Sequence, residues 1–422
     1  MDLIQNIEHF LENKIDFYID LLRQMVDINS FTKNSEGVNQ LGELTAKIFS
    51  PLGFDAEFVQ AANSDYGKHL FLKSNHHPLP GKRSAPTLAM ISHLDTVFAH
   101  EEELQNDFVW RPDRDRIYGP GTVDIKGGTV MIYMVLDAIR TLKPSLFEQV
   151  SWLVCIDACE ETLSEDFSRL CIDRLPEETL ACLVFEGGSV EGDRVQLVTS
   201  RKGRATFRVQ VTGKSAHAGN SHKNGANAIV QMAQTIQKIA ALSDYNRDLT
   251  FNVGVIRGGS VVNRVPHYSE AEVEMRAFSS HAFNAGVTSM LALDGTSDLS
   301  SYDGGFPCSV SIELLDQMEP WPNNRETLSL FQLWRETGKL IGAQIEEQAR
   351  GGLSDGNLLS THYPTIDGLG PVGANAHCSE RTADGSKVQE YVTISSFVPR
   401  ALLNTLSILK TIEESAATDM GQ

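Results

Sequence analysis

At 422 residues, 41% hydrophobic and 22% charged, the chain has an ordinary globular composition and is too long for one compact core, so two domains are expected. A formal net charge of -19 excludes general attraction to nucleic acid and to anionic membrane surfaces, while an anionic substrate in a local positive pocket stays possible. No apolar run reaches membrane-spanning length, the start MDLIQNIEHF lacks the pattern of a leader, and six cysteines without paired zinc-type spacing read as reduced, mostly buried thiols of a cytoplasmic protein.

From Leu3 to Ile28 apolar residues recur at helical spacing and predict one long amphipathic helix, with a second from Gly37 to Phe49. Strand-like runs follow at Phe54 to Val59, His69 to Lys73 and Thr87 to Ser92. Thr129 to Leu142 is apolar on all sides, which predicts a buried helix. Trp152 to Ile156 and Cys182 to Phe185 are short continuous apolar runs, as in central strands covered on both faces. Strands alternating with helices indicate a layered α/β domain over residues 1–200. Residues 201–317 change character: Thr206 to Val211, Phe251 to Val255, Ala271 to Ala277 and Ser309 to Leu314 alternate with period two, and helical patterns at Ala226 to Leu242 and His281 to Leu293 fall between them. That order predicts an inserted α+β, ferredoxin-like domain. After Pro320 the α/β pattern resumes, completing the first domain over residues 318–422 with helices around Glu326 to Ile341 and Pro399 to Ile412.

Chemistry-bearing residues stand where apolar runs end in polar or Gly-bearing loops, the carboxyl ends of strands in an α/β protein. LAMISHLDTV ends in His93-x-Asp95; residues two apart share a side, so His93 can bind a metal while Asp95 receives its other ring N–H. A surface hydrogen-bonded pair is the alternative. YGPGTVDIKGGT has Asp124 where a dinucleotide fingerprint needs its third Gly, and Lys126 precedes the glycines, so neither phosphate loop fits. What remains is Asp124 at the start of a buried helix, either bridging two cations or acting as an N-cap. Glu160 and Glu161 follow a buried strand and can face different partners, one a metal and the other a water beside it, or form a solvated loop. Another strand delivers Glu186, and a Gly-rich loop carries His377. His93, Asp124, Glu161, Glu186 and His377 together make a nitrogen and oxygen ligand set for two divalent ions, suited to zinc, with cobalt or manganese possible. Cys378 could be a ligand but reads first as packing. His76, His77 and His100 have no such context and are assigned to the surface.

HLDT, GPGTVDIKGG, the CEET acid pair, FEGG, GKSAHAG, GGSVVNRVP with MRAF, GGLSDGN and GPVGANAHCSE resemble, in order and end to end, motifs of the zinc metallopeptidase family that includes carboxypeptidase G, aminoacylase and succinyl-diaminopimelate desuccinylase. The resemblance implies a zinc-exopeptidase-like three-layer catalytic domain with an inserted dimerisation domain. It implies one metal on His93, Asp124 and Glu186 and another on Asp124, Glu161 and His377. Glu160 is implied as general base, with a cis peptide after Asp124. Cys159 departs from the family's usual Asp, a change expected to affect packing more than chemistry. His217 is implied as an oxyanion donor supplied across a dimer interface, with a turn histidine as the alternative. Asn263 and Arg276 are implied as carboxylate-binding residues, and a solvated arginine is the alternative for the latter. Ser354, Asp355, Gly356 and Asn357 resemble the substrate-pocket loop, whose backbone N–H groups could receive a carboxylate. The expected protein is a homodimeric metallocarboxypeptidase of glutamate type acting on small peptides. An N-acyl-amino-acid deacylase or a dipeptidase is the enzyme alternative, and an inactive metal-binding homologue the non-enzyme one.

Overall fold

A computed structural model describes residues 3–75, 85–162 and 164–419. His76 and His77 therefore lie outside the described residues. The chain divides into two compact units, the first made of Met1–Thr199, Asn323–Gln348 and Ser354–Gln422, the second of Ser200–Pro322 with the short return Ala349–Leu353.

The first unit is built on a six-stranded sheet in the order Phe54–Gln60, Lys68–Ser74, Ser151–Asp157, Thr87–His93, Ala181–Val184 and Thr365–Ile366. Lys68–Ser74 runs antiparallel to both of its neighbours, and the remaining pairs are parallel. Period-two alternation divides the strands between two cores. Leu88, Met90, Trp152, Val154 and Ile156 face a core that includes the buried side chains of the helix Gly127–Leu142. Ala89, Ile91, Leu153, Cys155 and Val184 face a smaller one with Phe167, Cys171 and Leu359. The result is the layered α/β domain that the alternating pattern predicts, with the three layers that the resemblance implies.

The amino-terminal segment forms two helices, Leu3–Asn13 and Ile15–Val26, where one was expected. The break falls at Lys14, whose backbone leaves helical geometry at φ -112°. Its ammonium pairs with the buried carboxylate of Asp137, which also accepts the Tyr18 hydroxyl at 2.7 Å. A carboxylate carried into the core by a buried helix needs such partners, and their demand overrides local helical spacing. The helix Glu165–Ile172 and the strands Arg194–Arg201 and Gln344–Arg350 were also not read in the sequence; QIEEQAR carries too many charges to resemble a buried strand.

The second unit is a four-stranded antiparallel sheet in the order Thr250–Gly258, Tyr268–Ala277, Gly203–Thr212 and Ser309–Met318. In chain order this is second, third, first, fourth, the ferredoxin-like topology. Helices Ala228–Ala240 and Ser280–Leu291 close one face, where Phe207, Val209, Val273, Met232 and Phe283 are buried together. The other face is polar, with Arg208 donating to Glu313 at 3.0 Å. No described helix is long and apolar enough to cross a membrane. Truncating Phe207 to Ala should cost about 3–5 kcal/mol in equilibrium denaturation; a change below about 1 kcal/mol would show that this ring is not central to the core.

Candidate metal centre

Three neighbouring parallel strands end at one edge of the first unit's sheet. Register pairs His93 with Asp157 and Ile91 with Val184, so His93, the turn Glu160–Thr162 and Glu186 emerge side by side. Asp124 comes from the turn Thr122–Lys126 that opens the buried helix. That helix can start against the strand end only because Gly128 has no side chain: a Cβ there would stand 2.0 Å from the Phe185 carbonyl oxygen. The Asp124–Ile125 peptide is cis, as the resemblance implies.

Asp124 is shared between two imidazoles. Its Oδ1 lies 3.1 Å from His93 Nε2 and its Oδ2 lies 3.2 Å from His377 Nε2. His377 Nε2 is also 3.1 Å from Glu161 Oε2, and Glu186 Oε1 is 3.8 Å from His93 Nε2. The five expected ligands are therefore brought together in two groups joined by one carboxylate. Glu161 Oε1 is buried with no hydrogen-bond partner among the described residues, a costly state that a cation would relieve. Imidazole nitrogens and carboxylate oxygens at these spacings fit a pair of divalent ions such as zinc.

The electrostatics favour added positive charge. Burial opposes protonation of His93, yet hydrogen bonds to Asp124 and Asp95 and the charges of Glu160 and Glu186 hold its pKa well above the usual range. His377 is pushed up to about 11, chiefly by hydrogen bonds to Asp124 and Glu161. Burial raises the Asp124 pKa, but the two imidazoles outweigh it and hold the carboxyl below its ordinary value. Burial is the main cause of the raised Glu160 pKa, and the neighbouring Glu186, Glu161 and Asp124 add to it.

Asp95 meets the other ring nitrogen of His93, as expected, and has a further task. His93 Nδ1 is nearer the backbone carbonyl of Asp95, at 2.9 Å, than its carboxylate, at 3.4 Å. The carboxylate also accepts the backbone N–H groups of Glu160 at 3.1 Å and Glu161 at 3.3 Å and the Thr32 hydroxyl at 2.7 Å. It thus clamps the turn that carries both acids, a role local spacing could not show. Cys159 is buried, its N–H donating to Asp157 Oδ1 at 2.9 Å, in a place consistent with packing. Cys378 Sγ lies 3.7 Å from the Glu380 carbonyl oxygen, and His100 is exposed.

Ser354, Asp355, Gly356 and Asn357 are buried in the first unit. The N–H groups of Ser354, Gly356 and Asn357 donate to Asn357 Oδ1, Ser354 Oγ and Ser354 O. Three of the four amides of this turn are thus engaged within it, as a buried turn must satisfy its own donors. His217, Asn263 and Arg276 lie in the second unit. His217 Nδ1 accepts N–H groups of Gly219 and Asn220, both at 3.1 Å, which directs the ring proton to Nε2. Arg276 Nε is 2.6 Å from Glu274 Oε1, and its Nη1 donates to the Gly351 carbonyl at 2.7 Å.

Residues 199–291 match the peptidase dimerisation domain of M20 enzymes. The chain is 25% identical over 384 residues to carboxypeptidase G2 of Pseudomonas sp. (strain RS-16), covering 91% of this chain and 86% of the relative. It is 24% identical over 290 residues to acetylornithine deacetylase of Klebsiella pneumoniae (strain 342), covering 65% of this chain and 71% of the relative. In fold it is similar to aminopeptidase PepT from Bacillus cereus, with a TM-score of 0.72 and 19% identity over 94% of this chain and 99% of that one.

Replacing Asp124 by Ala should abolish tight binding of both divalent ions, whereas His377→Ala should leave one ion bound. Metal analysis after gel filtration would decide; equal metal content in Asp124→Ala and the unaltered protein would remove Asp124 as the bridge.

Proposed function

We propose that this metal-dependent hydrolase, a relative of the M20 peptidases, is a homodimeric, cytoplasmic carboxypeptidase that cleaves an amide beside a free carboxylate and releases a C-terminal amino acid, glutamate in the first instance. The observation that carries the reading is the Asp124 carboxylate set between His93 and His377. His93, Asp124 and Glu186 would hold one ion, and Asp124, Glu161 and His377 the other. Two zinc ions in this site, or cobalt or manganese in their place, would polarise an amide carbonyl and draw the pKa of a shared water toward about 7.

Glu160 carries the proton. Its carboxylate takes one from the attacking water and passes it to the nitrogen of the leaving amine. Asp95 holds the Glu160 backbone in place for both transfers. His217, with its proton on Nε2, would donate to the developing oxyanion across the dimer interface, Asn263 and Arg276 would hold the substrate carboxylate, and Ser354, Asp355, Gly356 and Asn357 would line the substrate pocket. Support for the carboxypeptidase reading comes from the similarity to carboxypeptidase G2 along most of the chain. The acetylornithine deacetylase similarity favours deacylation of N-acyl amino acids as the second reading.

Glu160→Ala should keep its metal and lose at least about a hundredfold in turnover. Unchanged turnover would eliminate the proton-carrier role. A chelator should abolish hydrolysis, and zinc, cobalt or manganese should restore it. Assaying dipeptides and folate-like amides against N-acetyl amino acids separates the two substrate readings: exclusive cleavage of the acetyl compounds would reject the carboxypeptidase.

A further inference from the structure

We propose that Glu390 is a positioning residue of the metal centre, setting Asp124 and His377 at the separation that a pair of ions requires; the inference rests on the metal reading above. Nothing in its local sequence, QEYV, marks it for that task. Topology does. Tyr391–Thr393 is an inner strand of a small sheet, flanked by Arg116–Tyr118 and Gly373–Ala374, and runs antiparallel to both. Tyr391 stands opposite Tyr118 and Ala374. Glu390 therefore sits where one neighbour leaves toward Asp124 and the other leaves toward His377.

It bonds to both exits. Its Oε1 accepts the backbone N–H groups of Val123 at 2.9 Å and Asp124 at 3.2 Å, gripping the peptide units on which the bridging carboxylate is mounted. Its own N–H donates to the carbonyl of Cys378 at 2.7 Å, next to His377, and its carbonyl lies 3.4 Å from the Gly119 nitrogen as acceptor. The His377 loop needs such a tether. Asn375 and His377 both have positive φ, at 62° and 65°, a conformation uncommon for residues other than Gly. The His377 side chain is also 53% exposed, so packing alone does not hold it.

A carboxylate is an expensive acceptor in this place. Glu390 is fully buried, its Oε2 has no hydrogen-bond partner among the described residues, and Lys126 is buried in the turn that it grips. Asp95 does the same for the acid pair, its carboxylate taking the N–H groups of Glu160 and Glu161. Two buried acids thus each clamp the backbone of a turn that presents metal-facing carboxylates. Groups in this second position typically alter metal affinity by tenfold to a hundredfold when lost.

The test compares cobalt(II) binding by the full-length protein and by Glu390→Ala, Glu390→Gln and Glu390→Asp, using chelator competition, the visible absorption spectrum of bound cobalt, and thermal melting. The unaltered protein should bind two cobalt ions. Glu390→Ala should bind them about tenfold to a hundredfold more weakly with a changed spectrum, and Glu390→Gln, which keeps an acceptor oxygen at full reach, should recover most of the loss. If Glu390→Ala does not fold, Glu390→Asp carries the comparison with Gln, because its shorter arm withdraws the acceptor from the Val123 and Asp124 amides. A lower melting temperature with unchanged cobalt affinity and spectrum would reduce Glu390 to a stabilising residue and overturn the inference. No cobalt binding by the unaltered protein would instead overturn the metal reading itself.

Discussion

The Asp124 carboxylate, held within hydrogen-bonding distance of two imidazole nitrogens, is the constraint on which the rest of the first unit depends. Around it stand Glu160, Glu161 and Glu186, three more acids in a largely buried pocket. Two like charges about 4 Å apart at an effective dielectric of 20 repel by roughly 4 kcal/mol, so several such pairs exceed what a marginally stable fold can carry uncompensated. Protons on His93 and His377 relieve part of that load, and divalent cations relieve more. Accumulated negative charge is thus a structural debt in the bare protein and the source of its affinity when loaded.

Convergence is a matter of backbone placement before it is one of side chains. Parallel strands deliver His93, the acid pair and Glu186 to one edge, and Gly128 lets the helix that follows Asp124 approach that edge closely. Asp95 and Glu390 then hold the turns by their amides. The ligands need little freedom of their own, which is what a site must achieve if its donor atoms are to keep metal-binding spacing.

Much of this was legible in the chain. Continuous apolar runs ending in acids marked the strand ends, because a strand buried on both faces cannot disguise its composition and must finish in polar residues where it meets solvent. Period-two alternation likewise marked the second unit's half-buried sheet. Other features were hidden because their cause lies far away in sequence. The helix break at Lys14 answers a carboxylate at Asp137, 123 residues on. Glu390 acts through amides 266 and 267 residues distant, and no local pattern encodes that partnership. The Asp95 reading gave its contact with His93 but not its hold on the acid turn, since spacing of two places a side chain on a face without saying which other donors it meets there.

An anomalous-scattering map from a crystal of the zinc-loaded protein would test the central claim most directly. Two peaks on either side of the Asp124 carboxylate, one against His93 and one against His377, are predicted. A single peak remote from Asp124, or none among these five ligands, would contradict the account.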